Sequence, residues 1–133
     1  MNKYKNPALT VDAIVKFDEN IVLIKRAREP FKGAWALPGG FVEYGENVEM
    51  AMERELEEET GLKSTGMDLF GVYSDPHRDP RGHTVSLVFI VEAEGVLNAG
   101  DDASDVRLFP LKKLPPMAFD HERIVQDYKE LCS

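Results

Sequence analysis

With 133 residues, 43% of them hydrophobic and 30% charged, the chain has the size and make-up of one soluble globular domain. A net charge of −8 argues against general nucleic-acid binding, because an acidic surface repels polyanions; a phosphate-bearing ligand would need positive charge from elsewhere, which a divalent cation supplies. The only cysteine, Cys132, excludes an intrachain disulfide and fits a reducing cytosol, residues 1–10 carry no signal-peptide pattern, and no apolar run approaches the roughly 18 residues that cross a bilayer.

Residues 1–7 are polar and expected to be loose. Residues 9–17 are rich in β-branched and apolar types and read as a strand. Asp18, Glu19 and Asn20 signal a turn, and residues 21–24 read as the returning strand, followed by Lys25, Arg26 and Arg28. Residues 29–33 read as a loop. Residues 35–38 read as a short extended piece, since Leu37 precedes a proline, and Gly39 with Gly40 permits an unusual backbone course. The spacing predicts a helix over 46–60: it holds no glycine or proline, Asn47 suits the N-cap and Gly61 suits the C-terminal stop. Beyond it come a strand at 69–73, a charged loop at 74–82 (SDPHRDPRG), a strand at 84–92, an acidic loop at 99–104 and a short strand at 106–109. A closing helix over 118–131 has Ile124, Tyr128 and Leu131 on one face. The irregular interleaving implies an α+β, sandwich-like fold.

The helix at 46–60 breaks the usual segregation of polar and apolar faces. At about 100° per residue, Val48, Ala51, Met52 and Leu56 form an apolar stripe, and Glu55 and Glu59 fall inside it with Glu58 close by. Glu49, Glu53 and Glu57 lie on the opposite, solvated side. Glu55, Glu58 and Glu59 occupy i, i+3 and i+4, so their like charges converge. A hard divalent cation would remove that repulsion, and Arg54 offers further compensation; the alternative is an acidic solvated face.

Residues 40–62 read GFVEYGENVEMAMERELEEETGL. The segment resembles the Nudix box, G-x5-E-x7-R-E-U-x-E-E-x-G-U with U a bulky apolar residue, through Gly40, Glu46, Arg54, Glu55, Leu56, Glu58, Glu59, Gly61 and Leu62. The resemblance implies one Nudix domain over 1–133, an α/β/α sandwich with a mixed sheet, and a loop–helix–loop metal site. It implies water attack on a phosphorus of a nucleoside diphosphate linked to another group. Glu55 and Glu59 would be direct ligands of Mg²⁺ (or Mn²⁺), Glu58 a ligand directly or through water, and the Gly40 carbonyl a further one. Arg54 would orient the glutamates, and Glu46 would assist the metal cluster or brace the loop. A carboxylate outside the box often activates water in this family; Asp102 and Asp105 are the candidates, against a plain acidic turn.

The segments LTVDAIV, WALPGGFVEYGE, VYSDPHRDPRGHTVSLVF and AFDH extend the resemblance to small microbial ADP-ribose pyrophosphatases over roughly residues 9–128. A small-molecule nucleotide, ADP-ribose, is therefore the expected substrate, in a cytoplasmic homodimer with neither nucleic acid nor membrane as partner. Arg78 and Arg81 are candidates to grip phosphate or ribose, as are Arg26 and Arg28, which otherwise form surface ion pairs. Gly39 and Gly40 would line the substrate site. His77 and His83 would add polar contacts or remain structural, and Trp35 and Phe31 would stack adenine or pack in the core. The other readings are hydrolysis of oxidised nucleoside triphosphates or of sugar nucleotides, and a ligand-sensing module without catalysis.

Overall fold

Strand β1 (Ala8–Phe17) is buried at six consecutive positions, 10 to 15, rather than at alternate ones. A strand reads this way only when both sheet faces are covered. A computed structural model describes residues 5–100 and 103–132 and supplies the two covers. On one face, Val11, Ala13 and Val15 pack with Ala51, Met52 and Leu56 of helix α1 (Val48–Thr60). On the other, Ile14 packs with Ile124, Val125 and Tyr128 of helix α2 (His121–Cys132). Each large apolar side chain buried here contributes about 1.5–3 kcal/mol.

Among the described residues the sheet has seven strands. β1 runs parallel to β6 (Thr84–Glu94) and, along its first half, antiparallel to β4 (Gly39–Phe41), with Val11 opposite Gly40 and Asp12 opposite Gly39. Its last two residues turn through Asp18 into β2 (Asn20–Arg26), which pairs with β3 (Trp35–Ala36) and β7 (Ala103–Pro110). β5 (Lys63–Tyr73) closes the other edge against β6. The mixed sheet between two helices is the α/β/α sandwich that the sequence led one to expect.

Three expectations need correction. β5 is eleven residues long rather than five, because bulges at Ser64/Gly66 and Leu69/Gly71 interrupt the alternation from which a strand is recognised. β7 begins at Ala103, inside the segment read as an acidic loop, since β2 offers its backbone groups a partner there. α2 starts at His121, so Ala118 and Phe119 belong to the turn before it.

Candidate active site

The catalytic-box helix begins where its capping chemistry requires. Asn47 Oδ1 accepts the Met50 N–H at 2.8 Å, and Glu46 Oε1 accepts the Glu43 N–H at 3.0 Å. Gly61 takes φ 77°, a left-handed stop. The register set by these ends turns Glu55 and Glu59 inward, 8% and 5% exposed. Glu58 behaves differently: its side chain is 55% exposed and leans on Arg54 at 3.3 Å, so the trio does not converge on one point. Among the described residues, no three carboxylate, imidazole or thiol groups stand together as a ready ion cage.

Arg54 is the hub instead. Its Nη1 donates to Glu55 Oε1 at 2.7 Å, its Nε and Nη2 grip both oxygens of Glu46 at 2.8 and 3.0 Å, and Nη2 also reaches the Phe41 carbonyl at 3.1 Å. The hydrogen bond from Arg54 holds the Glu46 carboxyl down at about 2, helped by the Glu43 N–H, while Glu46 in turn holds the guanidinium well above its usual range. Glu59 is steadied by the Gly39 N–H, which donates to its Oε1 at 2.7 Å.

Gly39 and Gly40 are needed for closeness and not, as the sequence suggested, for an unusual backbone course. Neither has positive φ. A Cβ on Gly40 would collide with the Glu55 carboxylate, and one on Gly39 with the Val11 carbonyl and the Asp12 carboxylate. β4 therefore lies directly on the acidic face of α1. Two buried carboxylates one turn apart beside the Gly39–Gly40 backbone fit a hard cation that takes carboxylate oxygens and keeps several waters.

Glu55, Glu59, Gly39 and Gly40 form one wall of a cavity of about 350 Å³; Arg26, Arg28, Arg78 and Arg81 also line it. Arg78 is nearly buried, gripping both oxygens of Asp120 at 2.9 and 2.7 Å and donating to Thr84 Oγ1 at 2.8 Å. Arg81 is clamped by Asp79, whose burial would raise its pKa but whose bonds from Arg81 outweigh that and lower it. The loop at 74–82 thus presents pre-set guanidiniums to the cavity.

Other candidates lie elsewhere. Trp35 is not a lining residue; its ring meets Phe109 edge-on at 4.7 Å, with Arg107 over it at 5.6 Å. Asp105 sits on β7 opposite Lys25 and is taken up by Arg107 at 2.8 Å, away from the cavity. Asp102 lies outside the described residues. His83 Nε2 is bonded to the Ser74 carbonyl at 3.0 Å, which makes it a loop brace, and His77 is exposed.

Several lining residues were not named as candidates from the sequence, Asp12, Asp79, Phe119 and His121 among them, although each falls in a segment that carries the resemblance. His121 Nδ1 accepts the Leu37 N–H at 3.0 Å, which leaves the Nε2 proton facing Asp12 Oδ1 at 3.6 Å. Ser86 Oγ donates to the other Asp12 oxygen. Burial pushes the His121 pKa down, against the opposing pull of Asp12. The signal for Asp12 was there: one carboxylate in the middle of an apolar strand. His121 was marked only by its place in AFDH; its spacing gave no signal, because its partners are 84 and 109 residues distant.

The geometry is that of a diphosphate hydrolase of one family. Residues 6–128 match the NUDIX domain model, and the chain belongs to the Nudix family, whose members generally need divalent metal ions. It is 56% identical over 126 residues to the ADP-ribose pyrophosphatase of Methanocaldococcus jannaschii, covering 94% of this chain and 75% of that protein. The Nudix domain of Shewanella oneidensis NrtR, solved with ADP-ribose, superposes with a TM-score of 0.88 at 28% identity, covering 98% of this chain and 91% of that one. A bifunctional NMN adenylyltransferase/ADP-ribose pyrophosphatase from Francisella tularensis, solved with AMP and a manganese ion, superposes at 0.82 with 31% identity; the match covers 99% of this chain and 44% of that one.

Proposed function

We propose that the chain hydrolyses ADP-ribose to AMP and ribose 5-phosphate with Mg²⁺ as cofactor, Mn²⁺ being able to replace it. The observation that carries this reading is the make-up of one cavity: buried Glu55 and Glu59 beside the Gly39–Gly40 backbone, within reach of a group of arginines. The 56% identity to an ADP-ribose pyrophosphatase supports the choice of substrate.

Glu55, Glu59 and the Gly40 carbonyl would hold the metal, with Glu58 contributing through water from its exposed position. A divalent cation held there would neutralise diphosphate oxygens and lower the pKa of water. The chain's own residues do the positioning. Arg54 fixes the Glu55 rotamer, and Glu46 ties Arg54 to the loop ahead of α1. Arg26, Arg28 and Arg81 meet the anionic substrate, and Arg78 holds the loop to the turn that precedes α2 through Asp120. Water adds to one phosphorus, the bridging P–O bond breaks, and the two monophosphates leave. For the group that accepts the water's proton, Asp102 is preferred over Asp105, which Arg107 engages.

We place the reaction in the cytosol, in keeping with the single exposed thiol of Cys132. No described helix is long and apolar enough to cross a membrane. A homodimer through β5 would cover Leu69 and Val72, each 55% exposed on that strand. Light scattering tests it, a monomeric mass ruling it out.

A substrate panel tests the activity. With Mg²⁺, ADP-ribose should be turned over faster than NADH, sugar nucleotides or 8-oxo-dGTP, and chromatography should identify AMP and ribose 5-phosphate in equal amounts. A preference for 8-oxo-dGTP would move the chain to the sanitising phosphatases. Tight ADP-ribose binding without turnover would make it a sensor.

A further inference from the structure

Phe119 and Phe31 carry backbone strain. Phe119, in the turn before α2, has φ 54°, and Phe31, between β2 and β3, has φ 60°. Among the described residues, Asp18 is the other non-glycine residue in this region, and it sits in a hairpin turn that aspartate tolerates. A bulky side chain adopts such a backbone only where its surroundings impose it, and that strain gathers at ligand-binding positions.

The two strained residues meet. Their rings lie 4.9 Å apart at 62°, edge to face. Phe119 rests on the small apolar cluster of Ile24, Ala36 and Ala118. Its ring lines the active-site cavity, where Arg26 stands over it at 5.0 Å and Arg81 at 5.5 Å. Arg81 is also 4.9 Å from the Phe41 ring, so its guanidinium lies near both aromatic groups, held by Asp79. Phe31 and Phe41 are 43% and 42% exposed. Core packing alone does not account for two strained rings in contact, one of them 43% exposed and the other lining the cavity beneath two guanidiniums.

The substrate class divides the cavity chemically. A nucleoside diphosphate has a charged middle and one flat, uncharged π-face, its base. The wall of Glu55, Glu59 and the glycine backbone suits the charged part with its cation. Aromatic rings and guanidinium planes suit the flat part. We propose that Phe119 is the platform on which the nucleobase stacks, with Phe31 bracing its edge and Phe41 and Arg81 forming the neighbouring wall. This rests on the nucleoside-diphosphate reading above and adds the orientation of the substrate. Stacking is base-tolerant, so the platform separates substrates with a base from those without one, and purine from purine hardly at all.

The test compares wild type, Phe119→Ala, Phe119→Leu and Phe119→Trp on ADP-ribose and on the base-free diphosphate of two ribose 5-phosphates, with AMP binding measured by calorimetry. Phe119→Ala and Phe119→Leu should raise KM for ADP-ribose about tenfold or more, the scale of one lost stack, with kcat little changed and the base-free substrate unaffected. Phe119→Trp should restore KM, and AMP affinity should fall in Ala and Leu only. An equal rise for both substrates would overturn the platform and make Phe119 a structural support. If Phe119→Ala does not fold, the Leu and Trp variants decide alone. If wild type fails to cleave ADP-ribose, the activity reading fails separately, and unchanged AMP affinity in Phe119→Leu would then sink the platform.

Discussion

Glu59 and Glu46 lie on one helix and its leading loop, yet they answer to different physics. Glu59 is buried, faces the cavity and receives the Gly39 N–H. Replacing it with glutamine keeps size and hydrogen bonding but removes the charge. Glu59→Gln is expected to fold normally and lose at least about 100-fold in kcat, the scale of removing a major electrostatic element; wild-type turnover would refute its role. Glu46 acts through Arg54. Its carboxyl sits at about 2 when folded against an ordinary 4.5, so the folded state favours the charged form. The resulting stabilisation is complete above pH 4.5 and is lost as pH falls through about 2. Urea unfolding followed from pH 6 to 2 should therefore show a shallower loss of stability in Glu46→Gln than in wild type.

At the scale of the element, α1 was the most legible part of the chain. Its Asn47 cap and its Gly61 stop follow from local chemistry and are where the residues put them, while the helix opens at Val48, two residues after the expected start, because the cap stands at 47. Asn47→Ala should cost about 1 kcal/mol in unfolding free energy, the usual worth of a cap, with kcat within about twofold. A larger loss of activity than of stability would mean that the cap positions the glutamates. Glu55 and Glu59 were recognisable as intruders in an apolar stripe. The exposure of Glu58 was not, because helical angle alone does not say how neighbouring elements cover each carboxylate. β5 was half missed for a related reason: its bulges break the two-residue period that identifies a strand.

Across the whole molecule, His121 joins parts of the chain that are remote in sequence. It holds the Leu37 backbone just ahead of β4 and faces Asp12 on β1, so α2 is fastened to the strands that bear the glycine wall. Its folded pKa is depressed by burial, so protonation favours the unfolded state. Stability is then greatest above pH 6.5, the ordinary value, and falls as the medium becomes more acidic than that. His121→Gln should flatten that decline in denaturant titrations between pH 7 and 5. His121→Ala should cost about 1–3 kcal/mol, because it strands a buried N–H and a buried carboxylate without their partner.

The sequence by itself determined the α+β class, the caps of the box helix, and which carboxylates intrude on that helix's apolar stripe, because periodicity and motif spacing act within a few turns of chain. Tertiary structure alone decided which groups share the cavity. It placed Phe119, Asp12, Asp79 and His121 at its lining, left Trp35 packed on Phe109, and turned Asp105 to Arg107. Those outcomes depend on which strands meet and how closely backbones approach. Such contacts, separated by tens of residues, leave no period in the sequence.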